Sequence, residues 1–177
     1  MKANIGFLQF VGYIFTSVFG TLLHFLFDWT GKSIVFAPFS AVNESIWEHM
    51  KLLFFPMFIF AIIESKILNK TYKNFWCIKL LGILVGLTII PIIYYTYTGV
   101  LGKSADWFNI LIFFIAGAVT YLFETKLFKT MRCRPISETI SFAILLIISG
   151  IFVAFTFFPI KIPLFKDPLT QTYGYKK

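Results

Sequence analysis

Five side chains able to bind metal ions or protons fall between positions 24 and 49. His24 and Asp28 are one helical turn apart, as are Glu44 and Glu48, and His49 follows directly. Zinc and similar divalent ions are bound by imidazole and carboxylate groups, and a catalytic site leaves one position for water. The spacing therefore predicts a polar site that handles an ion, a proton or a metal, and the metal hypothesis takes His24, Asp28, Glu44, Glu48 and His49 as ligands of a divalent ion such as zinc. Glu44, Glu48 and His49 are also the candidate catalytic residues, since a carboxylate near metal-bound water can act as general base.

These residues also have ordinary structural interpretations, which the sequence leaves open. Ser45 and Glu48 fit the capping box that begins many helices. Asp28 can end the first helix, and His24 can be a hydrogen-bonded interior histidine. Three functions remain: an enzyme acting on a lipid or small substrate, a carrier of small solutes or ions, and an accessory membrane subunit without catalysis.

The composition indicates that lipid is the solvent for most of the chain. Hydrophobic residues make up 58% of it and charged residues only 14%, whereas a soluble domain carries roughly 25% charged residues. The formal net charge of +8 comes from basic residues that are dispersed among apolar runs, without a nucleic-acid-binding motif. The expected partners are a lipid bilayer and a lipid or small-molecule ligand, and not a nucleic acid.

Apolar runs long enough to cross a bilayer predict an all-α, polytopic transmembrane bundle with five spanning helices. A crossing helix needs about 20 apolar residues. The predicted spans are Ile5–Phe27, Ile46–Leu68, Phe75–Thr98, Trp107–Phe128 and Ile140–Ile160. Residues 1–160 then form the transmembrane domain, and residues 161–177 form an extended extracytoplasmic tail because proline recurs too often for a helix. Asp167 and Tyr173 of this tail are candidates for a lid over the histidine cluster.

Loop charge predicts the orientation of the chain in the plasma membrane. Two alternate connections are rich in basic residues: Lys66, Lys70, Lys73 and Lys79 flank one, and Lys126, Lys129, Arg132 and Arg134 the other. The intervening connections carry mainly Lys32 and Lys103. Basic loops tend to face the cytoplasm. This bias predicts a cytoplasmic amino terminus, with the carboxyl terminus and the histidine cluster outside.

Four other residues carry smaller predictions about packing and redox state. Gly82 and Gly86 form a GxxxG pattern, which lets membrane helices approach closely and makes an oligomer possible through these positions. Cys77 and Cys133 lack the spacing of a zinc site or a redox pair, and both are expected to be free thiols.

Three residues in or near the apolar runs receive local interpretations. Glu64 and Glu124 are expected to pair with the neighbouring Lys66 and Lys126 or to extend towards the membrane surface. Trp47 is expected to belong to the aromatic belt at the membrane interface.

Two segments carry a resemblance to a known family. They are Phe39–Pro56, with the sequence FSAVNESIWEHMKLLFFP, and Pro163–Gly174, with the sequence PLFKDPLTQTYG. Through them the chain resembles an uncharacterised family of small multipass membrane proteins of Gram-positive anaerobes. The resemblance implies that both segments are characteristic of the family, and it assigns no catalytic or binding residue.

Overall fold

A computed structural model describes residues 4–69, 71–130 and 136–175. These residues form five α-helices and one short 3₁₀ turn, and they contain no β-strand. The helices are α1 (Ile5–Trp29), α2 (Ile46–Leu68), α3 (Phe75–Leu101), α4 (Asp106–Thr130) and α5 (Glu138–Phe157), and the turn spans Pro163–Phe165. The predicted all-α fold class is confirmed for the described part of the chain.

Local chemistry explains where several helices begin and end. The Asn4 side chain accepts a hydrogen bond from the backbone at the start of α1, and Ser45 and Ser137 do the same for α2 and α5. Such caps satisfy backbone N–H groups that have no partner within the helix. Gly102 ends α3 with a φ of 68°, a left-handed conformation that glycine adopts without strain.

Four helices are long and apolar enough to cross a membrane: α1, α3, residues Trp107–Thr130 of α4, and α5. The prediction of five spanning helices is wrong for α2. This helix contacts all four of the others, and more than half of its residues are buried in the protein. It also carries Glu48, Lys51 and Glu64, whose side chains are buried among the other helices. α2 is therefore the central, protein-enclosed helix of the bundle.

The outer surface of the bundle is apolar, as expected for a protein in contact with lipid. Phe7 on α1 is 66% exposed, and tryptophans near helix ends are as accessible, with Trp29 at 66% and Trp107 at 70%. Together with the four apolar helices, this surface indicates a membrane protein. Trp47 does not belong to that surface. It is buried against Phe152 and the tail residue Phe165, so its predicted place in the interfacial belt is wrong.

The GxxxG pattern of α3 lies against α4 of the same chain. A Cβ atom at Gly82 would collide with the Glu124 carboxyl, and one at Gly86 would collide with the Thr120 hydroxyl. Both glycines therefore allow the close approach of two helices within one chain. Oligomerisation through them stays a prediction.

Cys77, in the first turn of α3, is disulfide-bonded. The expectation of a free thiol is therefore wrong for this residue. Cys133 lies outside the described residues.

Candidate metal site

Three of the five predicted ligands converge at one end of the bundle. Glu44 lies between the two histidines: one carboxylate oxygen is 3.7 Å from His24 Nε2 and the other is 3.5 Å from His49 Nε2. One ligand atom from each of the three side chains lies within 4.8 Å of the other two. This arrangement can hold a metal ion, a proton, or both in turn.

Three different parts of the chain supply these ligands. His24 lies in the last turns of α1, Glu44 directly precedes the N-cap residue Ser45, and His49 lies in the first turn of α2. The connection from residue 30 to residue 45 turns back so that the end of α1 meets the start of α2. The sequence placed Glu44 on the second helix, whereas the structure places it just before that helix begins.

A backbone contact sets the orientation of the His49 ring. Its Nδ1 atom is 3.0 Å from the carbonyl oxygen of Ser45, one turn earlier. A carbonyl can only accept, so Nδ1 carries the proton and Nε2 presents its lone pair towards Glu44. Metal-binding histidines are commonly held in this way by a second group. His24 Nδ1, by contrast, is buried and has no hydrogen-bond partner in the described structure.

The electrostatics of the site favour a neutral imidazole at His49. Burial lowers the pKa of His49, although the Glu44 carboxylate and the Ser45 carbonyl act in the opposite direction. A neutral imidazole is the form that binds metals. Glu44, whose side chain is 40% exposed, supplies a negative charge between the two rings.

The donors are more widely spaced than in a loaded zinc site. Ligands about 2.0–2.1 Å from a tetrahedral zinc ion lie about 3.3 Å from one another. The two distances from Glu44, one from each carboxylate oxygen, exceed this value by a few tenths of an ångström, and the three ligand atoms together lie within 4.8 Å. The side chains would therefore have to move closer together to hold an ion.

A cavity of about 540 Å³ adjoins the three ligands. α1, α2 and α4 form most of its wall, and the tail closes one side of it. Its surface is mainly apolar, with a few polar groups besides the three ligands. The lining residues are Gly20, Thr21, His24, Phe25, Glu44, His49, Leu52, Ser104, Asn109, Ile110, Phe113, Phe114, Pro168 and Leu169. Its size and lining are typical of sites that bind mostly apolar small molecules.

Asp28 and Glu48 do not join this group of ligands. Asp28 is exposed at the end of α1, and its backbone carbonyl accepts a hydrogen bond from Gly31. Glu48 is 1% exposed and forms an ion pair with Lys51, at 2.5 Å. The Ser45 hydroxyl caps α2, yet the Glu48 carboxylate accepts from the Val42 backbone instead of completing the capping box.

The Glu48–Lys51 pair joins three parts of the protein beside the candidate metal site. Lys51 Nζ donates hydrogen bonds of 2.9 Å to the Ala37 carbonyl and to the Thr156 hydroxyl. Thr156 lies in the last turn of α5, and Ala37 lies in the connection between α1 and α2. The pair therefore supports the backbone that carries Glu44 and His49.

The tail reaches the cavity, but through residues other than the predicted lid pair. Pro168 and Leu169 line the cavity, whereas Asp167 and Tyr173 do not. The buried Asp167 carboxylate accepts from the Leu169 backbone at 2.9 Å and from the Thr170 hydroxyl at 2.6 Å, which shapes the turn. Tyr173 pairs with Lys166 in an isolated bridge. A lid function for Asp167 and Tyr173 stays a prediction.

A second polar cluster, which the sequence interpretation missed, lies in the interior of the bundle. Lys79 Nζ contacts the carboxylates of both Glu64 and Glu124, and all three side chains are buried. The expected pairing of these glutamates with Lys66 and Lys126 is therefore wrong. The sequence does contain a signal for the cluster, because Lys79 and Gln9 each interrupt an apolar run that has few other polar residues.

Comparison with protein families places the chain in a group without an assigned activity. The model of a family of unknown function (DUF6512) matches residues 5–175. The chain belongs to this family. The match confirms an uncharacterised family as expected, while the bacterial group and the two characteristic segments stay predictions. Searches of curated proteins and of solved structures found no match.

Proposed function

We propose that this membrane protein binds a divalent metal ion, such as zinc, through His24, Glu44 and His49. The proposal includes a lipid-like ligand whose apolar body occupies the adjoining cavity and whose polar head reaches the metal. The observation that carries it is the meeting of three metal-ligating side chains, within 4.8 Å of one another, at the wall of an apolar cavity.

The number of protein ligands favours an open coordination position. Zinc is usually bound by four groups, and three protein ligands leave one position for water or for a bound molecule. An ion there would act as a Lewis acid on a carboxylate, ester or phosphate oxygen. Glu44 is one of the three ligands and also lines the cavity, so it would supply both a metal-binding group and a negative charge there.

Among the described cavity-lining residues, Glu44 is the sole carboxylate. Hydrolysis usually needs a base separate from the ligands, and Glu48 is held away from the cavity by Lys51. The geometry therefore supports metal-dependent ligand binding better than hydrolysis by a protein base. Assays of lipid-ester turnover and of solute uptake would distinguish catalysis and transport from binding alone.

The proposed site lies at the outer face of the plasma membrane. This placement rests on basic residues at the opposite end of the bundle from the site, of which the described ones are Lys66, Lys73, Lys126 and Lys129. Basic loops favour the cytoplasm. Inside the protein, α2 runs the length of the bundle, from His49 at the site to Glu64 beside Gln9 of α1. The amino terminus is then cytoplasmic and the tail is outside.

Metal analysis of the purified protein tests the first half of the proposal. The protein should retain about one zinc ion per chain after incubation with zinc and removal of the excess. His24→Ala, Glu44→Gln and His49→Ala should each lose it. Asp28→Asn is the matched control, because this carboxylate is one turn from His24 yet outside the group. Retention of zinc by all three ligand variants would refute the site.

A long-chain hydroxamate, which joins a metal-binding head to an apolar chain, tests the second half. It should bind to the zinc-loaded protein and not to His49→Ala. Turnover of a lipid ester by the loaded protein would add an enzymatic function, and zinc-dependent solute uptake into vesicles would indicate a carrier. Metal binding without hydroxamate binding would overturn the ligand proposal, and loss of thermal stability alone in the variants would favour an accessory subunit.

A further inference from the structure

A charged cluster crosses the interior of the bundle at the end opposite the candidate metal site. Glu64 on α2, Lys79 on α3 and Glu124 on α4 are 0–1% exposed, and Gln9 on α1 lies beside Glu64. His49 and Glu64 are 15 residues apart on one helix, a separation of about 22 Å. The cluster is therefore independent of the proposed metal site.

The charges of this cluster do not balance. Lys79 supplies one positive charge, whereas Glu64 and Glu124 supply two negative charges when both are ionised. Tyr121, whose ring centre is 5.4 Å from the Lys79 ammonium, shares a hydrogen bond of 2.7 Å with Thr16 and adds no cation. An uncompensated charge inside apolar helices is unfavourable, and two carboxyl groups that share one site commonly hold a proton between them.

The contacts of the two glutamates differ in a way that identifies the proton-carrying group. Glu64 accepts a hydrogen bond from Gln9 Nε2 through one oxygen and contacts the Lys79 ammonium through the other. Glu124 contacts Lys79 through Oε2, at 2.6 Å, but its buried Oε1 has no hydrogen-bond partner among the described residues. Glu64 is therefore satisfied as a carboxylate, whereas Glu124 has an oxygen free to carry a proton.

A glycine on the neighbouring helix α3 leaves room for the Glu124 carboxyl group. Gly82 faces Glu124, and any larger residue there would collide with it. A proton on Glu124 would turn this oxygen from an acceptor into a donor. Gln9 Oε1, in the same cluster, is a buried acceptor for which the described part of the chain supplies no hydrogen-bond partner.

We propose that Glu64, Lys79 and Glu124 form a proton-binding site in the interior of the bundle, with one exchangeable proton on Glu124. Ionisable groups inside membrane bundles commonly mark proton pathways. Glu124 is six residues from the end of α4, so its proton lies about 9 Å from that end along the helix axis. This is the nearer end of α4, and we expect access from there.

Infrared spectroscopy of the protein in lipid vesicles tests the proposal. The wild type should show the carbonyl band of a buried protonated carboxylic acid, which disappears as the pH is raised and shifts in heavy water. Glu124→Gln should remove this band and remain folded, because the amide resembles the protonated carboxyl. Asp28→Asn, which changes an exposed carboxylate outside the cluster, should leave the band intact.

Proton release provides a second measurement that does not depend on band assignment. On a jump to alkaline pH, vesicles with Glu124→Gln should release one proton per chain fewer than wild-type vesicles, as detected by a pH-sensitive dye. Absence of a titratable band in the wild type would overturn the proposal. Persistence of the band in Glu124→Gln, or its loss only in Glu64→Gln, would overturn the assignment to Glu124.

Discussion

Lys51 provides a direct test of how the polar end of the bundle is held together. Lys51→Met keeps most of the side-chain volume but removes the ammonium that contacts Glu48 and donates to Ala37 and Thr156. The Glu48 carboxylate would keep only the Val42 N–H at 3.1 Å and the Thr156 hydroxyl at 3.5 Å. Breaking a buried ion pair in this way costs about 3–5 kcal/mol. A loss of about 4 kcal/mol lowers the folding equilibrium constant on the order of a thousandfold.

The double variant Glu48→Gln/Lys51→Met should be more stable than Lys51→Met alone. It leaves no unpaired charge, so the remaining cost is that of unpartnered polar groups such as the Ala37 carbonyl, about 1–3 kcal/mol. The two substitutions should therefore be strongly non-additive. Lys66→Met is the matched control, because Lys66 is an exposed lysine on the same helix.

Unfolding in detergent, followed by tryptophan fluorescence against denaturant or temperature, measures these differences. The order of stability should be wild type and Lys66→Met, then the double variant, then Lys51→Met. If Lys51→Met is as stable as Lys66→Met, the pair does not support this end of the bundle. A double variant that costs the sum of the two single variants would show that the charges are not coupled.

Three further predictions follow from the packing and from the metal site. Gly82→Ala should lower the free energy of unfolding by about 1–3 kcal/mol, because the added methyl group overpacks against Glu124, and the melting temperature should fall accordingly. Gly99→Ala should leave both unchanged, since the described structure has open space around Gly99. Zinc should be released to a chromogenic chelator as the pH falls below about 6.5, the ordinary pKa of an imidazole, because protons compete for the ligands. Since burial lowers the pKa of His49 below its ordinary 6.5, this ligand should stay available to lower pH than a free histidine. Leu169→Trp should weaken hydroxamate binding while zinc stays bound, because Leu169 lines the cavity without contributing a metal ligand. If the variant binds the hydroxamate as tightly as the wild type, the tail does not contribute to the ligand site.

The amino-acid sequence by itself determined the helices of this protein. The predicted starts of α1, α2 and α3 agree with the structure at Ile5, Ile46 and Phe75. Long apolar runs and capping residues are local signals, and an apolar chain in lipid must satisfy its own backbone hydrogen bonds. The presence of five helices could therefore be predicted without tertiary information.

Which helix is enclosed by the others was decided only by the tertiary structure. α2 resembles the spanning helices in length, but its charged residues find partners on α1, α3 and α5 as well as on its own turns. Lys79 illustrates the difficulty, since its position near a basic connection suggested a loop charge, whereas it is buried between two glutamates. Partners that are distant in the sequence leave no local pattern.

The same limit applies to the candidate metal site. Residue types and their grouping identified His24, Glu44 and His49, because imidazole and carboxylate chemistry is visible in the sequence. Helical spacing also suggested Asp28, which is exposed, and Glu48, which pairs with Lys51. The path of residues 30–45 decides which side chains meet, and that path depends on long-range contacts such as the Lys51 bond to Ala37. Spacing along one helix sets which face a residue occupies, but only the packing of the chain sets what that face meets.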